Sequence, residues 1–281
     1  MQERIRSFTR DDIEFALAQT AREGWHATAE QFELALMHDP DGCFIAESAG
    51  APVGMITTTC YAVSAWIGHL IVVPDYRRRG LGERMIAYAL DYLARRGYST
   101  VRLEADPMGV GIYRRLGFER QFRSLRFRSD PPHNPILTGT GNVVPCGDGQ
   151  QLAAVDRHAF GDDRQRLLAG LVAKARATYA YQSQGEIQGY VVVFPSVVGV
   201  HLGPWIATDR EVAASLIDRV LTDFAETSII VGVSETNRDA IDLLKDRGFR
   251  ETESSLRMIR GGPAPDGNSE RLFAIANGAM G

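Results

Sequence analysis

The 281-residue sequence predicts a mixed α/β protein built from two tandem copies of one domain fold. Three observations carry this reading. Between Arg4 and Arg128 the hydrophobic patterning runs strand, helix, helix, strands, helix, strand, helix, strand. Within that run an apolar strand, Leu70 to Val73, passes through a Gly/Arg turn straight into an amphipathic helix. Finally, the sequence repeats itself. Gly117-Phe118 recurs as Gly248-Phe249, and Ser124-Leu125-Arg126 recurs as Ser255-Leu256-Arg257, both 131 positions on. Asn237-x-x-Ala240 stands at the same spacing after Asp106-x-x-Gly109.

In order along the chain, Arg4 to Thr9 alternates as a short first strand, and Thr9 or Asp11 caps a helix carrying Ile13, Leu17 and Ala21. Residues Gly24 to Asp39 hold a second helical stretch with Trp25, Phe32 and Leu36, closed by the turn Asp39-Pro40-Asp41-Gly42. Cys43 to Glu47 and Pro52 to Tyr61 form hairpin strands around Ser48-Ala49-Gly50. The strand Trp66 to Val73 ends at Pro74, which has no amide hydrogen for a ladder. The helix that follows, Glu83 to Arg96, extends an apolar stripe from Leu81 through Met85, Ala89 and Leu93, with Gly97 at its C-cap. Thr100 to Glu104 is another strand, Val110 to Arg115 a short helix, and Phe118 to Arg128 a long closing strand. The Pro-rich stretch from Ser129 to Pro135 marks a linker. Beyond it, Tyr190 to Phe194 is a strong apolar strand and Leu202-Gly203-Pro204-Trp205 a turn.

Composition narrows the class of function. At 44% hydrophobic and 23% charged, the chain has ample material for packed cores. A formal charge of −4 gives no footprint for nucleic acid or an anionic membrane surface. No apolar run reaches membrane-spanning length, and Met1-Gln2-Glu3-Arg4 lacks a signal-peptide core. Cys43, Cys60 and Cys146 have neither metal-ligand nor disulfide-framework spacing, so the expected setting is reducing cytoplasm and no metal site is expected.

The chemistry sits at the strand–turn–helix junction. The first turn of a helix presents N–H groups with no internal partner, at the positive end of the macrodipole. Gly80 and Gly82 let a ligand approach the backbone there, and Arg77, Arg78 and Arg79 add positive charge. This is an anion site. Arg77-x-x-Gly80-x-Gly82 after a Val-Val-Pro strand end resembles the pyrophosphate loop of the GNAT N-acetyltransferase superfamily. Leu103 to Gly109 followed by Tyr113-x-x-x-Gly117-Phe118 resembles that family's second element. The two together cover residues 70–118.

The resemblance implies a mostly antiparallel central sheet flanked by helices, and direct acyl transfer from acetyl-CoA, as co-substrate, to an amine. It implies cofactor contacts from Ile71, Val72 and Val73, from Arg77 to Glu83 with Leu81 among them, and from Asp106, whose place before Pro107 also suits a helix cap. Arg77 is open to either phosphate binding or bracing of the loop. The attacking amine must be neutral, although a lysine-like amine has a pKa of about 10.4. The departing thiolate must be protonated, which a positioned phenol does; Tyr113 is the candidate acid. The base is left open between Glu104, His69 and ordered water. Trp25, Trp66 and His69 are placed to meet the acceptor, and Glu23 and Glu104 could hold a cationic amine. A small-molecule amine is expected in preference to a protein, with no membrane or nucleic-acid partner, and a monomer or homodimer.

The repeats differ in chemistry. The 131 offset sets Glu211-Val212-Ala213 against Gly80-Leu81-Gly82 and Leu244 against Tyr113, and Thr208 to Glu211 has capping-box spacing. The expected organisation is therefore a catalytic domain at 1–129, a linker at 130–138 and a degenerate GNAT-like domain without cofactor loop at 139–281. The competing function is a non-catalytic acyl-CoA sensor, which needs the loop but no acid. A nicotinamide-binding domain fails because no Gly-x-Gly-x-x-Gly follows a strand.

Overall fold

The computed structural model describes residues 3–25, 27–133, 142–262 and 267–281. Its elements are β1 (Arg4–Ser7), α1 (Ile13–Arg22), α2 (Ala29–His38), β2 (Cys43–Ser48), β3 (Ala51–Cys60), β4 (Ala65–Val72), α3 (Leu81–Arg95), β5 (Val101–Ala105), α4 (Val110–Arg115) and β6 (Glu119–Ser129). There follow β7 (Val143–Pro145), α5 (Ala153–Phe160), α6 (Gln165–Lys174), β8 (Ala177–Ser183), β9 (Glu186–Ser196), β10 (Gly199–Ala207), α7 (Arg210–Asp223), β11 (Ile229–Ser234), α8 (Arg238–Asp246), β12 (Arg250–Arg260) and β13 (Leu272–Ala274). The chain divides into two compact units. One comprises Met1–Gln121, Leu256–Ala264 and Ala279–Gly281; the other comprises Phe122–Ser255 and Pro265–Gly278.

In the first unit the sheet runs β1-β2-β3-β4-β5, completed by the second half of β12. All neighbours are antiparallel except β4 and β5. The stripe expected on α3 is the packing face: Leu81, Met85, Ala89 and Leu93 are buried against Ala65, Ile67, Val101 and Leu103. Burying one stripe of a helix on one face of a sheet is what fixes that layer. Phe32 of α2 packs on the opposite face, its ring 4.8 Å from His69.

The second unit repeats the plan. β6 pairs with β11 antiparallel, β11 with β10 parallel, and β9, β8 and β7 follow antiparallel. Helices α7 and α8 bury Leu216, Ile217, Val220, Ile241 and Leu244 in its core. The strand expected to close the first copy, Phe118 to Arg128, thus gives Ser124–Ser129 to the second unit, while Leu256–Arg260 pairs with β5 in the first. Each unit takes its last strand from the other repeat.

Two sequence expectations change here. Leu202 to Trp205 is a bulge inside β10 rather than a turn between elements, since register on β9 slips between Leu202 and Trp205. The linker expected at 130–138 is anchored where it starts: His133 donates Nε2–H to the Thr227 carbonyl at 2.9 Å and accepts the Ser129 hydroxyl on Nδ1 at 3.1 Å. Residues 134–138 lie outside the described residues.

Candidate active site in the first unit

One extra residue parts β4 from β5. Ile71 stands opposite Met55 and Gly68 opposite Thr57, so His69 and Leu70 together face Ile56. His69 absorbs the bulge with φ +48°, in the left-handed region that His enters more readily than most side chains. On its other edge β4 pairs with β5 only from Ala65–Val101 to Ile67–Leu103. Past Ile67 no further β4–β5 pair forms among the described residues, which leaves a gap between the two strands. The Val73 amide is spent inside the sheet, on the Val53 carbonyl at 3.0 Å. Strand alternation then turns the Val72 peptide toward the gap.

The loop after β4 is shaped by two left-handed residues, Arg78 (φ +60°) and Gly80 (φ +77°), the latter being the N-cap of α3. No side chain caps this helix. Its first internal bond is Arg84 N–H to the Gly80 carbonyl, so the amides of Leu81, Gly82 and Glu83 have no acceptor among the described residues. At Gly82 a Cβ would meet only Val72 Cγ2 at 3.8 Å and Ile112 Cδ1 at 3.9 Å, which is ordinary contact. The fold does not require glycine there. What a side chain would obstruct is the space between β4 and α4, a cradle suited to a phosphate and the chain attached to it.

The three arginines divide their tasks. Arg77 donates Nε–H to the Val72 carbonyl at 2.7 Å and pairs through Nη2 with Glu23 at the end of α1. It is therefore a brace of the loop, and Glu23 is occupied rather than waiting for a cationic amine. Arg79 lies over the Tyr76 ring at 5.3 Å. Arg78 is exposed, with no partner among the described residues. Glu83 is paired with Arg115 at 3.0 Å.

Tyr113 is 7% exposed on α4, with Phe118 edge-on at 5.8 Å. The Tyr-x-x-x-Gly-Phe spacing is a helix ending: Gly117 turns left-handed at φ +82° and Phe118 N–H bonds back to the Tyr113 carbonyl at 3.0 Å. The Tyr113 hydroxyl takes no protein partner among the described residues. Burial, then the charge of Asp106, pushes its pKa above the ordinary phenol value. Asp106 does not cap α4, whose N-cap is Gly109. Its Oδ2 accepts the Trp25 indole N–H at 3.0 Å, so these two residues meet as a pair, with the Asp106 charge felt at Tyr113.

The face of β4 and β5 turned away from α3 carries Trp66, Gly68, Arg102 and Glu104. Glu104 Oε1 accepts Arg257 Nε–H at 2.8 Å, and both side chains are nearly enclosed. The Arg257 guanidinium lies 4.7 Å over the Trp66 ring. Trp66, expected to meet the acceptor, is wholly buried, with Arg257 and Gly281 against its ring. His69 lies against Phe32, with Thr57 Oγ1 3.1 Å from Nδ1; apolar surroundings push its pKa down to about 4. Such an imidazole is too weakly basic to draw a proton from an ammonium group.

At the corresponding place the second unit is filled by its own chain. The N-cap of α7 is Asp209, not Thr208: its Oδ1 accepts the Glu211 amide at 3.0 Å and the Val212 amide at 2.9 Å, while Thr208 donates its hydroxyl to Asp209. Here too the parallel pairing stops early, at Leu202–Val231. Beyond it β13 pairs with β10, and the next residue, Ile275, bonds to the Gly232 carbonyl of β11 at 3.0 Å. Asn237, the counterpart of Asp106, caps α8 through the Ala240 amide and donates to the carbonyls of Ser269, Glu270 and Leu272. Both the helix end and the gap between strands are closed.

Sequence reasoning missed Arg257, Asp209 and β13 as parts of these sites. Arg257 lay within a recognised repeat match, but nothing local announces a partner at Glu104.

Comparison with known proteins gives the family. The model of the "Acetyltransferase (GNAT) family" matches residues 7–118, and that of the "Acetyltransferase (GNAT) domain" matches residues 152–274. The uncharacterised N-acetyltransferase YitH of Bacillus subtilis is 26% identical over 262 residues, 92% of this chain and 91% of YitH. A crystal structure from Pyrococcus horikoshii, provisionally assigned as an acetyltransferase, superposes with a TM-score of 0.88 at 27% identity, covering 99% of this chain and 96% of that one. A tandem GNAT protein from the clavulanic acid biosynthesis pathway shares the fold, with a TM-score of 0.66 at 16% identity over 94% of this chain and 100% of its own. The chain belongs to the GNAT acetyltransferase family, with two GNAT domains in tandem, and its chemistry is acyl transfer. Among the described residues no helix is long and apolar enough to cross a membrane.

Proposed function

We propose that the first unit transfers an acetyl group from acetyl-CoA to a primary amine by direct attack, and that the second unit binds no cofactor. The contrast between the two helix ends carries the reading: α3 opens with amides that nothing among the described residues accepts, whereas α7 opens with amides held by Asp209. In this reading the amides of Leu81, Gly82 and Glu83 take the diphosphate, with charge from Arg78 and Arg79. The outward-facing Val72 amide on the edge of β4 takes the amide-bearing arm of the co-substrate; Ile71, two residues before Val73 in the alternating strand, faces β3. Val73 takes no part, its amide being in the sheet.

Tyr113 serves as the acid. A phenol held above its usual pKa stays protonated through the neutral range and can donate to the developing thiolate. Glu104 is tied to Arg257 and His69 is weakly basic, so the amine proton leaves through water relaying to solvent. Asp106 holds Trp25 across the acceptor entrance.

Free-thiol release from acetyl-CoA, screened against a panel of amines, tests this. Release that depends on the amine is the expected result. Calorimetric binding of CoA with no release for any amine would overturn transfer and favour the sensor alternative.

A further inference from the structure

Three residues from far along the chain lie on the acceptor face of the first unit. Ala279 rests on Gly68 with main chain and methyl alike: a Cβ on Gly68 would come within 2.6 Å of the Ala279 carbonyl oxygen, 2.7 Å of its Cβ and 2.8 Å of its Cα. The Tyr61 hydroxyl donates to the Met280 carbonyl. Gly281 lies on the Trp66 indole, where a Cβ would stand 2.7 Å from the ring. Met280 is 1% exposed. The Trp66 ring that Gly281 meets also carries the Arg257 guanidinium at 4.7 Å, and Arg257 in turn holds Glu104.

The place and the direction of this segment are both informative. Gly68 is the residue just past the last β4–β5 pair and just before the bulge, so Ala279 sits where the strands part. The cofactor loop, α3 and α4 lie on one side of the sheet, and the gap leads from them to the face that Ala279 covers. From Ala279 the segment runs toward Tyr61, at the β3–β4 turn, and Trp66. Its amino end is thus at the gap and its carbonyls lead away. A peptide whose free α-amine enters the gap would run the same way. Gly68 leaves room for main chain against β4, and the Tyr61 hydroxyl is matched to a peptide carbonyl one residue further on.

We propose that the acceptor is the α-amine of a peptide or peptide-like molecule beginning with a small residue, and that Ala279–Gly281 occupies its seat until it binds. The inference rests on the transfer reading above. Turnover then requires the segment to lift, and its removal should favour acceptors that can use Tyr61.

The test compares the tripeptide Ala-Met-Gly with propylamine as acceptors, using the full chain and a variant lacking Ala279–Gly281. The expected result is acetylation of the tripeptide on its α-amine. Its kcat/KM should rise about tenfold or more in the shortened variant and exceed that of propylamine. Tyr61→Phe in the shortened variant should cut this advantage about fivefold, the loss of one hydrogen bond. Acrylamide quenching of Trp66, with Trp25 and Trp205 replaced by Phe, reports the segment's release without reference to activity. If the shortened variant does not fold, the full chain still decides: N-blocked Ala-Met-Gly should compete with amine acceptors and not with acetyl-CoA. The proposal is overturned if the tripeptide neither reacts nor competes while other amines are acetylated. It is equally overturned if removing the segment exposes Trp66 yet leaves acceptor kinetics unchanged, or abolishes transfer with CoA binding intact. Thiol release with no acceptor at all, in any variant, would instead refute the transfer reading.

Discussion

Replacing Gly82 with alanine should move stability and cofactor affinity in opposite directions. The added methyl meets Val72 Cγ2 at 3.8 Å and Ile112 Cδ1 at 3.9 Å, so the protein accommodates it without displacement. Gly82 is helical, and exchanging glycine for alanine in a helix is worth roughly 0.5–1 kcal/mol. In the first turn the lower figure applies, which for a unit of this size is about 2 °C in Tm. The same methyl fills the cradle between β4 and α4, beside the amides assigned to the diphosphate. Displacing the ligand from one charge-assisted hydrogen bond costs about 1.5–3 kcal/mol, or a tenfold or greater rise in Kd. Differential scanning of the free protein and calorimetric titration with CoA measure the two quantities separately. An unchanged Kd would show that no ligand comes near Gly82. A lower Tm would show that the fold itself needs the glycine.

Tyr113→Phe should lower kcat about tenfold or more at unchanged CoA affinity, read from steady-state kinetics and titration. Arg77→Ala should reduce kcat/KM for acetyl-CoA and for acetyl-pantetheine by the same factor, because Arg77 braces Val72 and Glu23; a phosphate contact would spare the truncated donor. Asp209→Ala should destabilise the second unit by about 1 kcal/mol in urea unfolding, leaving CoA binding and turnover as they were. His69 and His201 are both held neutral by burial, with folded pKa values pushed down to about 4. The unfolded chain protonates them first, near 6.5. Their contribution to stability is therefore full above pH 6.5 and lost as pH falls toward 4, and His69→Gln with His201→Gln should flatten the urea midpoint across that window.

The parts of this molecule that were legible in sequence are those with local causes. The α3 stripe, the Pro74 strand end, the Gly80 turn and the Tyr113 helix ending each follow from residues within about one turn of one another. Asp209 was missed by one position because Thr208 and Asp209 are both good caps and the Thr208–Glu211 spacing fits a capping box. What stayed hidden is non-local. A strand's own pattern tells which face is buried but not which neighbour it pairs with, so Ser124–Ser129 and Leu256–Arg260 could not be assigned to their sheets. Trp66 was placed near the acceptor from its strand alone. Its burial depends on Arg257 and Gly281, far away in sequence.

On the proposed reading, the unequal roles of the repeats come from occupation rather than from simple decay of a motif. Both sheets contain the same two unmet needs: a helix whose first amides lack acceptors, and a bulged strand whose edge parts from its parallel neighbour. In the second unit Asp209 meets the first need and β13 with Ile275 meets the second, so the chain is satisfied without a ligand. In the first unit Gly80 has no side-chain oxygen, and among the described residues no strand pairs with β4 on the β5 side beyond Ile67. Both features favour a bound anion attached to an amide-bearing chain, and both would be weakened by any side chain that answered the need from within. A carboxylate at the helix end would also repel a diphosphate at close range. Restoring glycine at residue 209 would therefore not create a second site, because β13 would still hold the gap and Leu244 would still stand where a phenol is required.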